Sequence, residues 1–370
     1  MQAEADAFTI GVEEEFFIVD QETRALRPRL EPILARARGA LGDAVQPELQ
    51  LIQVETGTPV CRSLAEVRRE LARLRHQVMA AAVAEGTRIC ASGTHPFSHW
   101  NEGHAITPKP AYVALERDYQ QLAREQLVCG CHVHVGFPDG EDAIEVLNRV
   151  GPWLSPIVAL AVNSPFWAGV DTGYGSFRTE VWRRWPMAGL PHVFESRAEY
   201  DQLVRELVVT GSIDDPARIY WDVRPSAKFA TLEFRATDIC LTVDEAVLVA
   251  GLVRALAQSC HTEAVAGRPV PRVRPEMLRA SMWRAARYGV EADLVDVLTP
   301  RAVPAREMVE ELLAFLRPAL ADRGEWEEIS GLARETAARG TGAARQRQAF
   351  ARSGRMEDVV DLIVSETVRG

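Results

Sequence analysis

Lysine is almost absent from this chain of 370 residues. Its 42 lysines and arginines include only two lysines, Lys109 and Lys228, and neither of them follows a glycine. The phosphate-binding sequence GK[ST] is therefore missing, and a catalytic lysine could only be one of these two. Anions must be bound mostly by arginine. Codon usage is a sufficient explanation for most of the arginines at surface positions.

Two further absences concern metal motifs and membranes. None of the six cysteines forms a Cys-x-x-Cys pair, which argues against a zinc knuckle or a thioredoxin-like motif. We expect them to be buried reduced thiols in a cytoplasmic protein. No apolar run approaches the roughly 18 residues that span a bilayer, and the acidic N-terminus lacks the basic and apolar segments of a signal peptide. The net charge of −10 argues against a nucleic-acid or anionic membrane partner.

The sequence does contain segments in which apolar and polar residues alternate. They cover residues 8–20, 128–135, 219–224 and 231–237. Each segment has one apolar face, and its other face carries Glu, His, Asp or Arg. This pattern is typical of an antiparallel sheet with one covered face, whereas a doubly wound parallel sheet would give continuous apolar runs. The predicted class is α+β, with helices packed on the apolar face and a polar concave face left for chemistry.

Helix starts are marked by pairs of capping residues. These pairs are Ser63 with Glu66, Ser196 with Glu199, and Thr242 with Glu245. Residues from 275 onward have mostly the periodicity of amphipathic helices. The whole chain, residues 1–370, is predicted to form a single catalytic domain.

The polar strand faces, together with an extended segment around Glu55, carry acidic and imidazole groups. The candidates are Glu13, Glu15, Glu55, His132, His134 and Glu233. Several carboxylates cannot share a buried face uncompensated, and divalent cations resolve this. Such a set suits Mg²⁺ or Mn²⁺ better than Zn²⁺. The alternatives are a solvated sheet face for Glu-x-Glu, and structural or zinc-binding histidines for His-x-His.

Two arginines share the polar faces with acids. Arg224 and Arg235 each follow an acid, Asp222 or Glu233, by two residues. A guanidinium there can hold phosphate oxygens with two hydrogen bonds, or it can form an ion pair with the neighbouring acid. Acids for metals and arginines for phosphates together predict phosphoryl transfer from a nucleotide, in which the protein supplies positioning and charge neutralisation.

Seven motifs in a fixed order resemble one family. They are GVEEEF, QVETGTPVC, GTHPF, CGCHVHVG, NSPFWAGVDTGYGSFR, WDVRPS and TLEFRATD. The chain is similar to the glutamate–cysteine ligase type 2, or carboxylate–amine ligase, family of the glutamine synthetase-like superfamily. The similarity covers about residues 8–290, whereas the helical part at 291–370 matches nothing specific.

The resemblance implies an antiparallel sheet that forms a funnel around ATP and divalent metals, Mg²⁺ or Mn²⁺. It implies that ATP phosphorylates a carboxylate, and that an amine then attacks the acyl phosphate to give an amide, ADP and phosphate. The family precedent is γ-glutamylcysteine formation, although members of this branch can be weak at it. The expected partners are a glutamate-like carboxylic acid, an amine, and a second copy of the chain in a homo-oligomer such as a dimer.

The resemblance also implies residue roles. The metal positions match Glu13, Glu15, Glu55, His132 and Glu233. The catalytic positions match Arg235, His134 near the transferred phosphate, and Arg224. A substrate loop matches Ser164, Thr172, Ser176 and Arg178. Thr56 and Gly57 stand where larger apolar residues are expected, which predicts a wider pocket.

Several alternatives stay open at this point. A metal-dependent hydrolase could use His132 and His134 as zinc ligands, although no second histidine pair is obvious. The other alternative is a non-catalytic relative, although the set of acidic and histidine residues needed for catalysis is complete. In GTHPF, His95 is either a contact at the rim of the site or a residue that caps a tight turn. The tryptophans near residue 182 are more typical of a core or an interface than of a ligand platform.

Overall fold

The computed structural model describes residues 7–103 and 105–369. Its main sheet has seven strands, in the order β2-β3-β1-β5-β9-β8, with β4 pairing the end of β1. Every pair in this sheet is antiparallel. The strands are β1 (Ile10–Asp20), β2 (Val45–Pro47), β3 (Gln53–Gly57), β4 (Thr87–Cys90), β5 (Gly130–Gly136), β8 (Val223–Pro225) and β9 (Thr231–Asp238). Two small hairpins, β6 (Phe166–Trp167) with β7 (Val170–Asp171) and β10 (Asp293–Asp296) with β11 (Arg301–Pro304), lie outside it.

Fourteen α-helices occur in the described residues. They are α1 (Leu30–Leu41), α2 (Leu64–Val83), α3 (Pro110–Tyr119), α4 (Gln121–Arg124), α5 (Gly140–Val150), α6 (Leu154–Leu160), α7 (Phe177–Trp182), α8 (Arg197–Val209), α9 (Val243–Val265), α10 (Pro275–Tyr288), α11 (Ala305–Asp322), α12 (Trp326–Arg339), α13 (Gly342–Ser353) and α14 (Met356–Thr367). The capping pairs predicted for α2, α8 and α9 are confirmed, because Ser63, Ser196 and Thr242 each accept a hydrogen bond from the backbone N–H three residues on.

One face of the sheet packs against helices and the other is polar. Helices α2, α5, α6 and α9 pack behind β1, β5, β8 and β9. On β1, Val12 and Phe16 are buried in the cores behind the sheet, while Glu13 and Glu15 keep part of their surface open on the other side. This confirms the predicted α+β class with one covered face.

Two local predictions from the sequence were incomplete. The strand expected at 219–224 contains only its last two residues in β8, because a short 3₁₀-helix, Pro216–Arg218, precedes it. The C-terminal helices are interrupted by the β10–β11 hairpin, in which Leu294 pairs with Val303 and both are buried. A hairpin this short buries only a few side chains, so its period-two signal is weak beside the long helices around it.

The structure agrees with the expectations for the cysteines and for membrane-spanning segments. All six cysteines are free and buried. Among the helices of the described part of the chain, none is long and apolar enough to cross a membrane. Burial raises the pKa of Cys90 and Cys260, which keeps these thiols neutral.

Candidate active site

Strand register brings four of the predicted metal ligands side by side. Glu13 on β1 lies directly opposite His132 on β5. On the other side of β1, Glu15 lies opposite Glu55 of β3. Facing residues on neighbouring antiparallel strands have Cβ atoms about 5 Å apart. The alternation in each strand and the pairing between strands therefore collect these groups on one surface.

A second row of predicted residues crosses the sheet beside the first. His134 lies opposite Glu233 on β9, and Glu233 also faces Arg224 on the edge strand β8. The β5–β9 register shifts by one residue between Cys131 and Val133, which is the irregularity of a β-bulge. The two rows place the acidic, imidazole and guanidinium groups next to one another.

A cavity of about 480 Å³ opens onto this polar face. The predicted residues that line it are Glu13, Glu15, Glu55, His132 and Arg235. His134, Glu233 and Arg224 belong to the same polar face but are not part of the cavity wall. Further wall residues come from α3 and from residues 214–220. This volume is within the range of small-molecule sites.

The residues present fit a divalent cation. Ligand atoms of Glu13, His134 and Glu233 all lie within 4.8 Å of one another. Glu13 is 3.6 Å from the Nδ1 atom of His132 and 3.5 Å from the Nε2 atom of His134. Both histidine Nε2 atoms are buried without a hydrogen-bond partner among the described residues. His134 holds its other ring nitrogen 2.9 Å from the Thr231 hydroxyl. An imidazole fixed on one side and open on the other is typical of a metal ligand.

The charge states of three ligands also fit a cation. Burial would raise the pKa of Glu13, but the close approach of His132 and His134 outweighs burial and lowers the pKa. Burial would likewise raise the pKa of Glu233, but the charges of Arg235 and Arg224 lower it. Burial lowers the pKa of His132. The two carboxylates are therefore anionic and this imidazole is neutral near pH 7, which are the forms that bind metals.

A carboxylate that sequence reasoning missed, Glu48, lines the same cavity. Burial and the charge of Glu15 raise the pKa of Glu48 to about 8. Burial and the charges of Glu13, Glu48 and Glu15 also raise the pKa of Glu55. Glu48 and Glu55 are separated by a turn, so no strand alternation connects them in the sequence. The crowding of carboxylates is the arrangement that a divalent cation would relieve.

The two candidate arginines differ in how completely they are hydrogen-bonded. Arg224 donates from Nε to Glu233 at 2.8 Å, and from Nη1 to the carbonyls of Ala217 and Ile219 at 2.6 and 2.5 Å. Arg235 donates to Glu233, but its buried Nε has no hydrogen-bond partner within residues 7–103 and 105–369. The ion-pair interpretation therefore applies to both arginines, and Arg235 keeps a donor for a ligand.

The predicted substrate loop is held by a buried carboxylate. Asp238, at the end of β9, accepts hydrogen bonds of 2.7 Å from the hydroxyls of Ser164 and Ser176 and from the backbone N–H of Asn163. Thr172 donates to the carbonyl of Pro165 at 2.9 Å. None of these predicted substrate residues lines the cavity, so their contact with substrate stays a prediction.

Arg178, the fourth predicted substrate residue, is buried next to the metal-binding groups. Its Nη2 donates to the carbonyl of Arg235 at 3.3 Å, and its Nε has no hydrogen-bond partner in the part of the chain that the structure describes. A Cβ atom added to Gly130 would come within 2.4 Å of Arg178 Nη2 and 3.0 Å of His132 Nε2. Gly130 is therefore the residue that lets this guanidinium approach His132.

Aromatic residues form part of the cavity wall. Trp182 and Trp185 both line it, and the guanidinium groups of Arg178 and Arg235 lie 5.6 and 5.4 Å from the ring centre of Trp182. The core assignment holds for Trp185, which is buried and donates to Gln126. The sequence shows that these tryptophans are close to one another along the chain, but not which ring faces a cavity. Their position at the site was therefore not predicted.

Two smaller predictions are resolved by geometry. His95 is buried, and its Nδ1 accepts hydrogen bonds from the backbone N–H groups of Phe97 and Ser98, as expected for a residue that caps a turn. Thr56 is buried on the face opposite Glu55, so it cannot widen the pocket. Only Gly57, which pairs with Glu13, lies on the polar face.

Comparison with known proteins agrees with this geometry. The model of glutamate–cysteine ligase family 2 matches residues 9–364. The chain belongs to this family. The ligase is 45% identical over 373 residues to a Frankia alni protein named as a glutamate–cysteine ligase 2-2, with 97% of each chain covered. As a family member, it is an ATP-dependent enzyme that forms carbon–nitrogen bonds.

Solved structures show the same fold at low sequence identity. A bifunctional glutathione synthetase from Pasteurella multocida aligns with a TM-score of 0.73 and 16% identity, covering 98% of the ligase and 52% of that chain. A glutamate–cysteine ligase from Francisella tularensis in complex with AMP aligns with a TM-score of 0.71 and 12% identity, covering 98% and 88%. The glutamine synthetase-like fold expected from the motifs is confirmed.

Proposed function

We propose that the ligase activates a glutamate-like carboxylic acid as an acyl phosphate and joins it to a small amine. The observation that supports this most directly is the group formed by Glu13, His132, His134 and Glu233 beside Arg235. Of these groups, Glu13, His132 and Arg235 line a cavity large enough for small substrates. γ-Glutamylcysteine is the first product to test, because the Frankia alni relative is named for that reaction.

Magnesium or manganese would be held by Glu13, Glu15, Glu55, His132 and Glu233. The Nε2 atom of His134 would complete this set, because ligand atoms of Glu13, His134 and Glu233 lie within 4.8 Å of one another. Glu48, from the same cavity wall, extends the acidic set. When bound, a divalent cation neutralises phosphate charge and polarises the phosphoryl group. Within this set, the lowered pKa values of Glu13, Glu233 and His132 keep the two carboxylates anionic and the imidazole neutral, which are the forms that bind a cation.

The chain's own residues would act on the transferred phosphoryl group. Arg235 has a free Nε donor and a guanidinium fixed by Glu233, so it is oriented before substrate binds. His134 is oriented by Thr231 and directs Nε2 towards the same region. Arg224, whose donors go to Glu233 and two carbonyls, would keep Glu233 in position while remaining close to the phosphates.

Substrate recognition follows from the same arrangement. Arg178 is the strongest candidate of the predicted substrate loop, because its guanidinium reaches the neighbourhood of His132. Ser164 and Ser176 would act through Asp238 by fixing the loop that carries Arg178. Thr172 would stabilise the outer part of that loop.

We further propose that residues 1–370 work as one catalytic domain and that the ligase is a homo-oligomer such as a dimer. The C-terminal helices share a core with the sheet, because residues of α11 and α12 belong to the same apolar cluster as Val12 and Val133. Truncation after residue 290 is expected to abolish folding. Sedimentation equilibrium gives the oligomeric state.

The function is tested by incubating the full chain with ATP, Mg²⁺, L-glutamate and a panel of amines that includes cysteine. We expect an amide, detected by mass spectrometry, together with equal amounts of ADP and phosphate. Omission of either the acid or the amine should suppress product formation. Amide hydrolysis without ATP would instead favour a metal-dependent hydrolase, and nucleotide binding without any product across the panel would favour a non-catalytic relative.

A further inference from the structure

Both lysines of the chain line the cavity, although every other long basic side chain in the sequence is arginine. The cavity wall also contains six carboxylates: Glu13, Glu15, Glu48, Glu55, Asp214 and Asp215. A compositional bias towards arginine would not by itself place both lysines in one small part of the surface. Both lysines therefore place an ammonium group at the wall of this cavity.

The arginines near these carboxylates are held in ion pairs. Arg218 lies 2.9 Å from Asp118 and 2.6 Å from Asp214, and Arg235 is bound to Glu233. Neither lysine has such a partner within residues 7–103 and 105–369. A planar guanidinium is well suited to a bidentate carboxylate contact, whereas an ammonium is a compact, strongly hydrated charge on a flexible stem. In an acid-rich cavity, lysine can stay available for a ligand where arginine would be captured.

Lys228 is the lysine next to the metal-binding group. It lies in the loop that joins β8 to β9, the strand that carries Glu233. The ring of its neighbour Phe229 is edge-on to His134, with ring centres 6.1 Å apart. At the end of the same loop, Thr231 holds the Nδ1 atom of His134 at 2.9 Å. The loop therefore places an unpaired positive charge beside the region where phosphates would meet the cation.

Lys109 occupies the opposite edge of the sheet. It precedes α3, and Tyr112 of that helix donates to the carbonyl of Pro47 in the edge strand β2 at 3.0 Å. Strands β3, β1 and β5 lie between β2 and β9, and each strand adds about 5 Å. The two lysines thus have the same charge in the same cavity, at different distances from His134 and Glu233.

We propose that Lys228 binds the β- and γ-phosphate oxygens of the nucleotide, so that its ammonium is a nucleotide-specific contact that Lys109 does not provide. The inference rests on the proposed function for the presence of ATP. It adds a residue outside the acidic, histidine and arginine set to the phosphate site. It also explains why this position is lysine in a chain that otherwise uses arginine.

The test is calorimetric titration of the full chain with ADP and with AMP, each in the presence of Mg²⁺. Lys228→Gln should weaken ADP binding roughly tenfold or more, the effect of losing a hydrogen bond to a charged group. AMP binding should stay within about twofold, because AMP lacks the β-phosphate. Lys228→Arg should also bind ADP more weakly than the wild type, because nearby carboxylates compete for the guanidinium.

Lys109→Gln is the matched control, since it removes the same charge from the same cavity. We expect its ADP affinity to stay within about twofold of the wild type. Unchanged ADP binding in Lys228→Gln, an equal loss of ADP and AMP, or an equal effect of both lysine variants would each overturn the proposal. A wild type that binds ADP without forming amide would contradict the proposed function alone, and the Lys228 comparison would still be decided by binding.

Discussion

Strand β1 carries three consecutive glutamates, Glu13, Glu14 and Glu15. The side chain of Glu14 has surroundings opposite to those of its two neighbours. Glu14 points into the core, where neither it nor Arg75 is exposed to solvent. Arg75 donates from Nε and Nη2 to the two carboxylate oxygens at 2.9 and 2.5 Å, and its remaining hydrogen bonds reach the carbonyls of Cys240, Leu241 and Thr367. The covered face of β1 thus has a charge pair in which every N–H donor of the Arg75 guanidinium is used.

On the polar face of β1, by contrast, part of the hydrogen-bonding capacity of the side chains is left unused. Three buried nitrogens have no hydrogen-bond partner among the residues that the structure describes: His132 Nε2, His134 Nε2 and Arg235 Nε. Glu13 nevertheless lies close to both histidines. Unpartnered buried polar groups are costly, so a native protein keeps them where a ligand completes them. The comparison separates a charged group that stabilises the fold from charged groups that are held ready for a ligand.

The largest effect, on stability, is expected when the ion pair on the covered face of β1 is broken. Glu14→Gln leaves Arg75 as a buried charge with an incomplete partner, and breaking a buried pair in this way costs about 3–5 kcal/mol. We expect a large fall in the free energy of unfolding, measured by urea denaturation. The double variant Glu14→Leu with Arg75→Met should recover much of that loss, because the unpaired charge is gone. A double variant as unstable as Glu14→Gln would show that more than the ion pair is involved.

A smaller effect, on turnover rather than on stability, is expected for Arg235. Arg235→Ala should lower kcat by roughly 10²-fold or more if this guanidinium stabilises the migrating phosphoryl group. Arg235→Lys should rescue it only in part, since an ammonium cannot reproduce two parallel hydrogen bonds.

Arg224→Ala is the matched control, because Arg224 binds the same carboxylate. It should lower the unfolding temperature more than Arg235→Ala does, since Arg224 also holds two backbone carbonyls. Near-normal turnover of Arg235→Ala would assign Arg235 to a structural ion pair.

The smallest of these effects concerns the orientation of a ligand. Thr231→Val removes the hydroxyl that holds His134 Nδ1 and keeps a β-branched residue in the strand. We expect Mn²⁺ to bind about tenfold more weakly, the usual size of the effect when a partner of a metal ligand is lost. Electron paramagnetic resonance of free Mn²⁺ measures this directly. Unchanged affinity, with an unchanged unfolding temperature, would place His134 outside the metal-binding group.

The alternation on β1 and β5 was enough to predict which side chains share the polar face, because strand geometry has a strict period of two. The helix starts at Ser63, Ser196 and Thr242 were also predictable, since capping is a local interaction. The family expectation, drawn from ordered motifs, is confirmed by the match over residues 9–364. The match also includes the helical part beyond residue 290, where the sequence motifs had ended.

Features that depend on distant partners could not be predicted in the same way. Glu48 is separated from the polar strands by a turn, and only the folded cavity brings it beside Glu55. The buried role of Glu14 depends on Arg75, which is 61 residues away. Ser164 and Ser176 both donate to Asp238, which no local pattern connects to them, and their contact with substrate stays a prediction.

The most direct test of the central claim follows the oxygen atoms of the acid. With the acid labelled by ¹⁸O in its reacting carboxylate, we expect one labelled oxygen to appear in inorganic phosphate, because that oxygen bridges carbon and phosphorus in an acyl phosphate. ADP and phosphate should form in equal amounts, and no AMP should appear. Unlabelled phosphate, or AMP with labelled oxygen and pyrophosphate, would contradict the account.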